Sequence, residues 1–465
     1  MTVVTLALLG LASSAASAVV KPDPGFGDDG IVRLKGDWEL LGYDRHPYIT
    51  PIFQGAGGMD AYRGRLLFTD GNIWRLGNDG EVDWGFGDGD KSQSWRKLDS
   101  PGYGRSTDDL ERLQDGSVVV TGFYQASNRR CAQKGYVAKY DAAGKVDASF
   151  GNREGRIVPR QDGWLCYKGV AFRAVEVDSR NRILVGGKQG RDRFLRVDRY
   201  LADGRPDRSF GKGGRLLIRN PLKKYGAAVN DLRVLRSGKI LATGVFKGRF
   251  FILRLMPDGR IDRSFGKRGW VGGARFGDRY GCLEAPCGSA QIGLSANGSI
   301  TVSGTTLTRQ GFAQMLVRLR PDGRLIRSFG RNGILRFSRK LTSRLMPELS
   351  APIEYMGRSS GGFASLKGGR TFVLMMGLTS CPEGMTGRRN CFAARGAIVD
   401  RRGRVRTHQV VDGDRKEVFF VWLEYNSIGI EPDGLSRFYI GADRAATPEA
   451  ITDGRYPTIF RLIDR

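Results

Sequence analysis

The chain has 465 residues, with 75 Lys and Arg against 48 Asp and Glu, a formal net charge of +27. Apolar residues make up 40% and glycine fills 67 positions against 17 prolines, so wholesale disorder is excluded and a large core can be buried. Only two histidines, His46 and His408, leave little room for His-based metal or acid–base chemistry.

The first twenty residues, MTVVTLALLGLASSAASAVV, carry no charge. An apolar run at 3–11 followed by Ala16-Ser17-Ala18 predicts a signal peptide over 1–18, cleaved after Ala18. It lacks the usual basic leader, and the competing reading is a buried first strand. No other stretch reaches the roughly 18 apolar residues of a membrane span. The expected location is secreted or periplasmic, with one domain over 19–465 and no transmembrane segment.

One phrase then recurs: NDGEVDWGFG at 78–87, AAGKVDASFG at 142–151, ADGRPDRSFG at 202–211, PDGRIDRSFG at 257–266 and PDGRLIRSFG at 321–330. A truncated copy, KPDPGFG, stands at 21–27, and a degenerate one, DRRGRVRTHQ, at 400–409. The marker phenylalanines Phe26, Phe86, Phe150, Phe210, Phe265 and Phe329 are spaced by 60, 64, 60, 55 and 64 residues. Each period holds four strand signals separated by Asp-Gly, Ser-Gly and Asn-Gly turns, as in DLRVLRSG, KILATG, FFILRL and GRLLIR. Seven such units predict an all-β fold, a seven-bladed β-propeller of four-stranded antiparallel blades. The chain ends in a third strand, TIFRLIDR, where the phrase should begin, and the missing phrase stands near its start. The last blade is therefore expected to be closed by the N-terminal strand.

The DG-x-x-D-x-SFG-x-x-G phrase at a period near sixty resembles the delta-60 repeat family of exported bacterial proteins, over essentially all of 21–465. The resemblance implies a propeller and export, with no agreed chemistry.

The marker Phe reads as a wedge between blades. If the phrase turns are three-residue hairpin loops, Arg75 faces Asp83, Lys139 faces Asp147, Arg199 faces Asp207, Arg254 faces Asp262 and Arg461 faces Asp23. Blades five and six break the pattern, with Arg318 opposite Ile326 and Ile398 opposite Arg406. These repeated cations read as structural.

Six cysteines in an exported chain favour disulfides. Cys131, Cys166, Cys282, Cys287, Cys381 and Cys391 all fall on the face carrying the long loops, and sequence proximity suggests Cys131–Cys166, Cys282–Cys287 and Cys381–Cys391. No spacing suits a metal.

Two functional classes remain. The stapled loop face carries Arg129, Arg130, Lys134, Lys223, Lys224, Lys247, Arg249, Arg309, Arg388 and Arg389, a surface expected to bind a protein or an acidic polysaccharide without catalysis. Interleaved aromatics are lacking, so nucleic acid is not expected. The alternative is a hydrolase or lyase at the axial channel, whose mouth would gather Asp108, Asp109, Arg173, Asn230, Asp231, Gln291 and Asn426, with Asp109 and Asp231 as acid and base or holding a cation. Apart from that cation no cofactor is expected, and the protein reads as a monomer. Catalytic signatures such as G-x-S-x-G and H-E-x-x-H are absent from the sequence.

Overall fold

The computed structural model describes residues 20–33, 58–69, 73–83, 85–87, 105–125, 133–151, 155–159, 169–190, 193–222, 226–272, 291–308, 311–345, 362–380, 390–406, 420–423, 428–434, 436–442, 445–446 and 458–464. They form seven separate antiparallel sheets, the blades of the propeller that the repeat predicts. Blade four is representative: its inner strand is Ala227–Val234, followed outward by Ile240–Phe246, Arg249–Leu255 and Trp270–Gly272. Blades two, three and five follow the same order, with inner strands Arg105–Arg112, Val170–Val177 and Gln291–Leu294. In blade one, Met59–Tyr62, Arg65–Thr69 and Ile73–Leu76 are the described strands.

Burial falls off radially, because each sheet packs between two others. The third strand of blade four is buried at six of its seven positions, on both faces, whereas the outer strand of blade three, Arg215–Arg219, has no fully buried residue. The continuous apolar runs of the middle strands thus reflect sheets covered on both sides.

Blade six departs from the repeat, where its phrase is degenerate. After Phe363–Ser365, Thr371–Ser380 and Asn390–Val399, the short Val405–Arg406 and the later Phe420–Leu423 both pair with Asn390–Val399. Blade seven closes the ring as expected. Ile428–Asp433 and Arg437–Ala442 precede Thr458–Asp464, and its outer position is filled from the other end of the chain by Val20–Pro22 and Ile31–Arg33.

The predicted charge pairs all form. Arg75 Nε lies 2.9 Å from Asp83, Lys139 3.2 Å from Asp147, Arg199 2.8 Å from Asp207, Arg254 2.7 Å from Asp262 and Arg461 2.9 Å from Asp23. Two further contacts make each arginine a latch. Its guanidinium sits 4.4–4.7 Å over the ring of the marker phenylalanine, in the pairs Arg75–Phe86, Arg199–Phe210, Arg254–Phe265, Arg318–Phe329 and Arg461–Phe26. It also donates to a turn carbonyl of the next blade: Ala142, Pro257, Pro321, Arg401 and Asn78 respectively. Arg318 keeps this geometry without an opposing carboxylate. Its guanidinium turns to Thr371 Oγ1 at 2.6 Å and the Gly369 carbonyl at 2.9 Å.

Turn glycines permit that close approach. Gly204 and Gly323 have φ of +86° and +84°, and a Cβ on either would meet the previous blade's Gly151 or Gly266 backbone nitrogen at 2.7 Å. Those nitrogens donate to Asp203 and Asp322 carbonyls at 3.0 and 2.9 Å. Between blades six and seven a different clamp appears: Arg370 binds both carboxylate oxygens of Asp464, and Phe372 packs 4.5 Å from Phe438.

Arg461 is almost fully buried, so Arg461→Ala leaves Asp23 uncompensated and is expected to cost about 3–5 kcal/mol. Phe265→Ala, at a fully buried wedge, should cost about 3–5 kcal/mol as well. Leu217→Ala, on an outer strand with 40% exposure, should stay within about 0.5 kcal/mol. Denaturant unfolding midpoints of the three variants check the ranking.

Candidate functional site

The predicted channel residues come together on the inner strands, but their groups are committed to the frame. Asp108, Arg173 and Asn230 occupy bulges, where the pairing register jumps from Thr107 to Asp109, Phe172 to Ala174 and Val229 to Asp231. Arg173 reaches across to Asn230 Oδ1 at 3.2 Å. Asp109 accepts the N–H of Leu110 on one oxygen and that of Val175, in the next blade, on the other, at 2.9 and 2.7 Å. Asp231 repeats the motif with Leu232 and Ile292 at 2.7 and 2.6 Å. Gln291 accepts from Phe363 N–H at 2.8 Å and donates to the Ile430 carbonyl at 3.2 Å, spanning blades five, six and seven. These side chains tie neighbouring inner strands together.

Asn426 lies outside the described residues, as do Arg129, Arg130, Lys223, Lys224, Arg309, Arg388 and Arg389 of the loop face. Lys247 and Arg249 are exposed there, flanking the turn between the second and third strands of blade four, and Lys134 is half-buried. The disulfide expectation also lies outside the described side chains. Cys391 sits in a described strand, its backbone opposite Thr379, while Cys131, Cys166, Cys282, Cys287 and Cys381 lie beyond the described residues.

Two residues further along each inner strand stands a second layer that the sequence reading passes over. Asp60, Glu111, Glu176, Arg233 and Glu431 occupy equivalent positions, paired with Leu67, Val119, Leu184, Leu241 and Tyr439. Glu111 and Arg233 lie five residues before their turn glycines, Gly116 and Gly238, positions that a count of seven and eight passes over. Period two along the strand, starting from Asp109 or Asp231, finds the layer at once. At the same level blades five and six carry Gly293 and Ala364, paired with Thr301 and Phe372, so that sector is uncharged.

Arg233 Nη1 donates to Glu176 Oε2 at 2.7 Å, and the Val234 N–H to Oε1 at 2.8 Å. Arg112 lies 3.8 Å from Asp60 and 3.6 Å over the Tyr62 ring. Glu111 and Glu431 make no ion pair among the described residues. Burial pushes both carboxyls well above the ordinary range. Asp60 and Glu176 add repulsion at Glu111, while at Glu431 the Arg233 charge partly opposes the rise. Burial works against the charge of Arg233, yet Glu176, Asp231 and Glu111 hold its pKa well above normal. Chemically, the layer sets carboxyls whose pKa burial raises beside the fixed cation of Arg233. Among the described residues no group of three or more His, Cys, Asp or Glu side chains is placed to hold a metal ion, and no helix is long and apolar enough to cross a membrane.

A family model described as a domain of unknown function (DUF5122) beta-propeller matches residues 235–265, from the first turn of blade four through its marker Phe265. No curated protein matches the chain. Among solved structures, a streptogramin B lyase aligns at 10% identity and TM-score 0.42, covering 89% of this chain and 95% of its own. The polysaccharide lyase Uly1 aligns at 8% and 0.40, covering 96% and 97%. A PL25 ulvan lyase bound to -[GlcA(1-4)Rha3S]- aligns at 10% and 0.42, covering 90% and 96%. Likeness at this level says nothing of chemistry.

Two sets of carboxylates give stability opposite pH dependences. Burial pushes Asp231 up to about 6 from its ordinary 3.8. The folded state thus holds that proton more tightly than the unfolded chain, and the stability cost of its charge grows as pH rises from about 4 to about 6. For Asp147, Asp207 and Asp262 burial is outweighed by hydrogen bonds from Ser149, Ser209 and Ser264 and by the latch cations, which hold them below the ordinary range. Their contribution is complete above about 4 and lost as pH falls further. The melting-temperature lead of the native protein over Asp231→Asn should shrink on raising pH from about 4 to 6, and its lead over Asp262→Asn on lowering pH below about 4. Melting curves from pH 3 to 7 read both.

Proposed function

We propose that the protein is an exported, monomeric, non-catalytic propeller that binds a protein or an acidic envelope polymer through the face carrying the long loops, and that it needs no cofactor. The observation that carries this reading is the commitment of Asp109 and Asp231. Each spends both carboxylate oxygens on backbone N–H groups of its own and the next blade, which suits a frame and leaves neither free for acid–base work. The reading includes cleavage after Ala18, a single domain over 19–465 and the three disulfides bracing the loop face. The short match over 235–265 supports a β-propeller repeat family, and the delta-60 name is part of the proposal.

The test is a screen of the immobilised mature protein against envelope polysaccharides and secreted proteins at about 50 and 200 mM salt, the range over which generic charge contacts weaken. One ligand that survives the higher salt and is lost on reducing the cysteines is the expected result. Binding that collapses with salt for every polyanion alike would overturn it. Intact mass with and without reductant should differ by about six protons, two for each disulfide.

A second reading is favoured by the raised carboxyls of the axial layer. Burial pushes the carboxyls of Glu111 and Glu431 well above the ordinary range, the direction a general acid in a hydrolase or lyase requires. If catalysis resides there, Glu111→Gln with Glu431→Gln should abolish any polysaccharide-shortening activity of the native protein. Depolymerisation that persists in the double variant eliminates this site.

A further inference from the structure

The turns between the third and outer strands carry a charge pattern that the fold does not require. At the residue after the latch aspartate position, blades three, four and five place Arg208, Arg263 and Arg327, whereas blades two and seven hold Ala148 and Pro24. Two residues beyond the marker Phe, the same three blades place Lys212, Lys267 and Arg331, where blade seven has Asp28. All six cations are exposed, and none makes an ion pair among the described residues. The identical turn forms with alanine or proline at the first position, so folding cannot be what these cations serve.

Backbone bonds bring the three sets together. Gly211 N–H donates to the Asp258 carbonyl at 2.8 Å and Gly266 N–H to that of Asp322 at 2.9 Å, so consecutive turns abut and their cations form an arc. Each turn adds one more arginine, Arg205, Arg260 or Arg324, paired with an exposed aspartate two residues earlier, so these pairs add no net charge to the arc. Across the ring, blades seven and one present Asp28, Asp29, Asp79 and Glu81 at the corresponding turns, whereas blade six, whose turn abuts that of blade five through Gly330 N–H and the Arg402 carbonyl, adds the exposed Arg401 and Arg402. Between blades three and four the arc deepens into a groove of about 1620 Å³. Lys212, Arg215, Arg263 and Arg268 rim it, and Leu217, which is 40% exposed, lines it.

We propose that this arc is a binding surface for a linear acidic polysaccharide, carboxylated or sulfated, lying across blades three to five with one stretch seated in the groove. Cations that recur once per blade at a fixed position match a polymer whose anionic groups recur along its length. Arginine predominates, and its planar fork suits carboxylate and sulfate. The groove lining contains no aromatic side chain, so it offers no stacking platform for bases. This goes beyond the binding reading and moves the polymer from the long-loop face of that reading to the opposite face.

The experiment compares three forms of the mature chain for binding to polygalacturonate, dextran sulfate, neutral dextran and duplex DNA at about 100 mM salt. The arc variant combines Arg208→Ser, Arg263→Ser, Arg268→Ser and Arg327→Ser. The loop-face variant removes the same number of charges through Lys134→Ser, Lys247→Ser, Arg249→Ser and Arg388→Ser. The expected result is at least about tenfold weaker binding of polygalacturonate or dextran sulfate by the arc variant, with the loop-face variant close to native. The two polymers separate carboxylate from sulfate preference. Should the fourfold arc variant fail to fold, Arg263→Ser alone reads the same surface and is expected to weaken binding by about threefold. Equal loss in both variants means a net-charge effect, and loss only in the loop-face variant returns the polymer to that face and supports the earlier reading; either overturns the arc. Tighter arc-dependent binding of DNA overturns the polysaccharide as occupant. No binding of either polymer by the native protein overturns the arc and leaves the protein-partner form of the earlier reading standing.

Discussion

A buried guanidinium lying on a phenylalanine ring and reaching the next blade's turn carbonyl is the contact on which the ring depends. Sheets packed face to face by apolar side chains alone could slide radially over one another. The latch prevents this, because the arginine is fixed by its own aspartate on one side and by the neighbouring backbone on the other. Burying such a charge is costly, and in blades three and four the aspartate, a serine hydroxyl and a carbonyl share the fork of Arg199 and Arg254. Part of the large arginine content is therefore structural.

Nearer the axis the same problem has a different solution. Inner strands are too close for a bulky wedge, so Asp109, Asp231 and Gln291 join them through backbone N–H groups. The layer beside them gathers four carboxylates around Arg233 and Arg112, leaving an acidic axis in a protein of net charge +27. At the exposed turns positive charge runs over blades three to six, opposite the acidic turns of blades seven and one.

Much of the architecture was legible because the repeat prints itself in the sequence. The marker Phe, the turn Gly and the opposed charges at 75/83, 199/207 and 254/262 all report local hairpin geometry, which a single unit encodes. Ring closure was legible from complementary half-repeats at the two ends. What each arginine does beyond its hairpin was not, since its carbonyl partner lies in the following blade and any residue supplies a carbonyl. For the same reason the cross-blade partners of Asp109 and Asp231 could not be read from the sequence. Their partners are main-chain N–H groups 66 and 61 residues away, which leave no mark on side-chain identity. Glu111 and Glu431 were missed because counting seven and eight residues back from the turns passes over positions nearer the turn. Blade six hid its extra pairing for want of the phrase that marks the others.

The shared seventh blade has a consequence for how the molecule is made. Val20–Pro22 and Ile31–Arg33 can find their partner only when Thr458–Asp464 exists, so the first strand of the domain waits for the last. Until then, six blades form an open arc whose two end faces display apolar surface. Closing so long a loop adds little entropy beyond a moderate one, since the cost grows only logarithmically with length. The delay lies in the search, because contacts this remote in sequence slow folding. During its synthesis the chain would therefore be an adhesive crescent, and its final step is the fastening of a clasp.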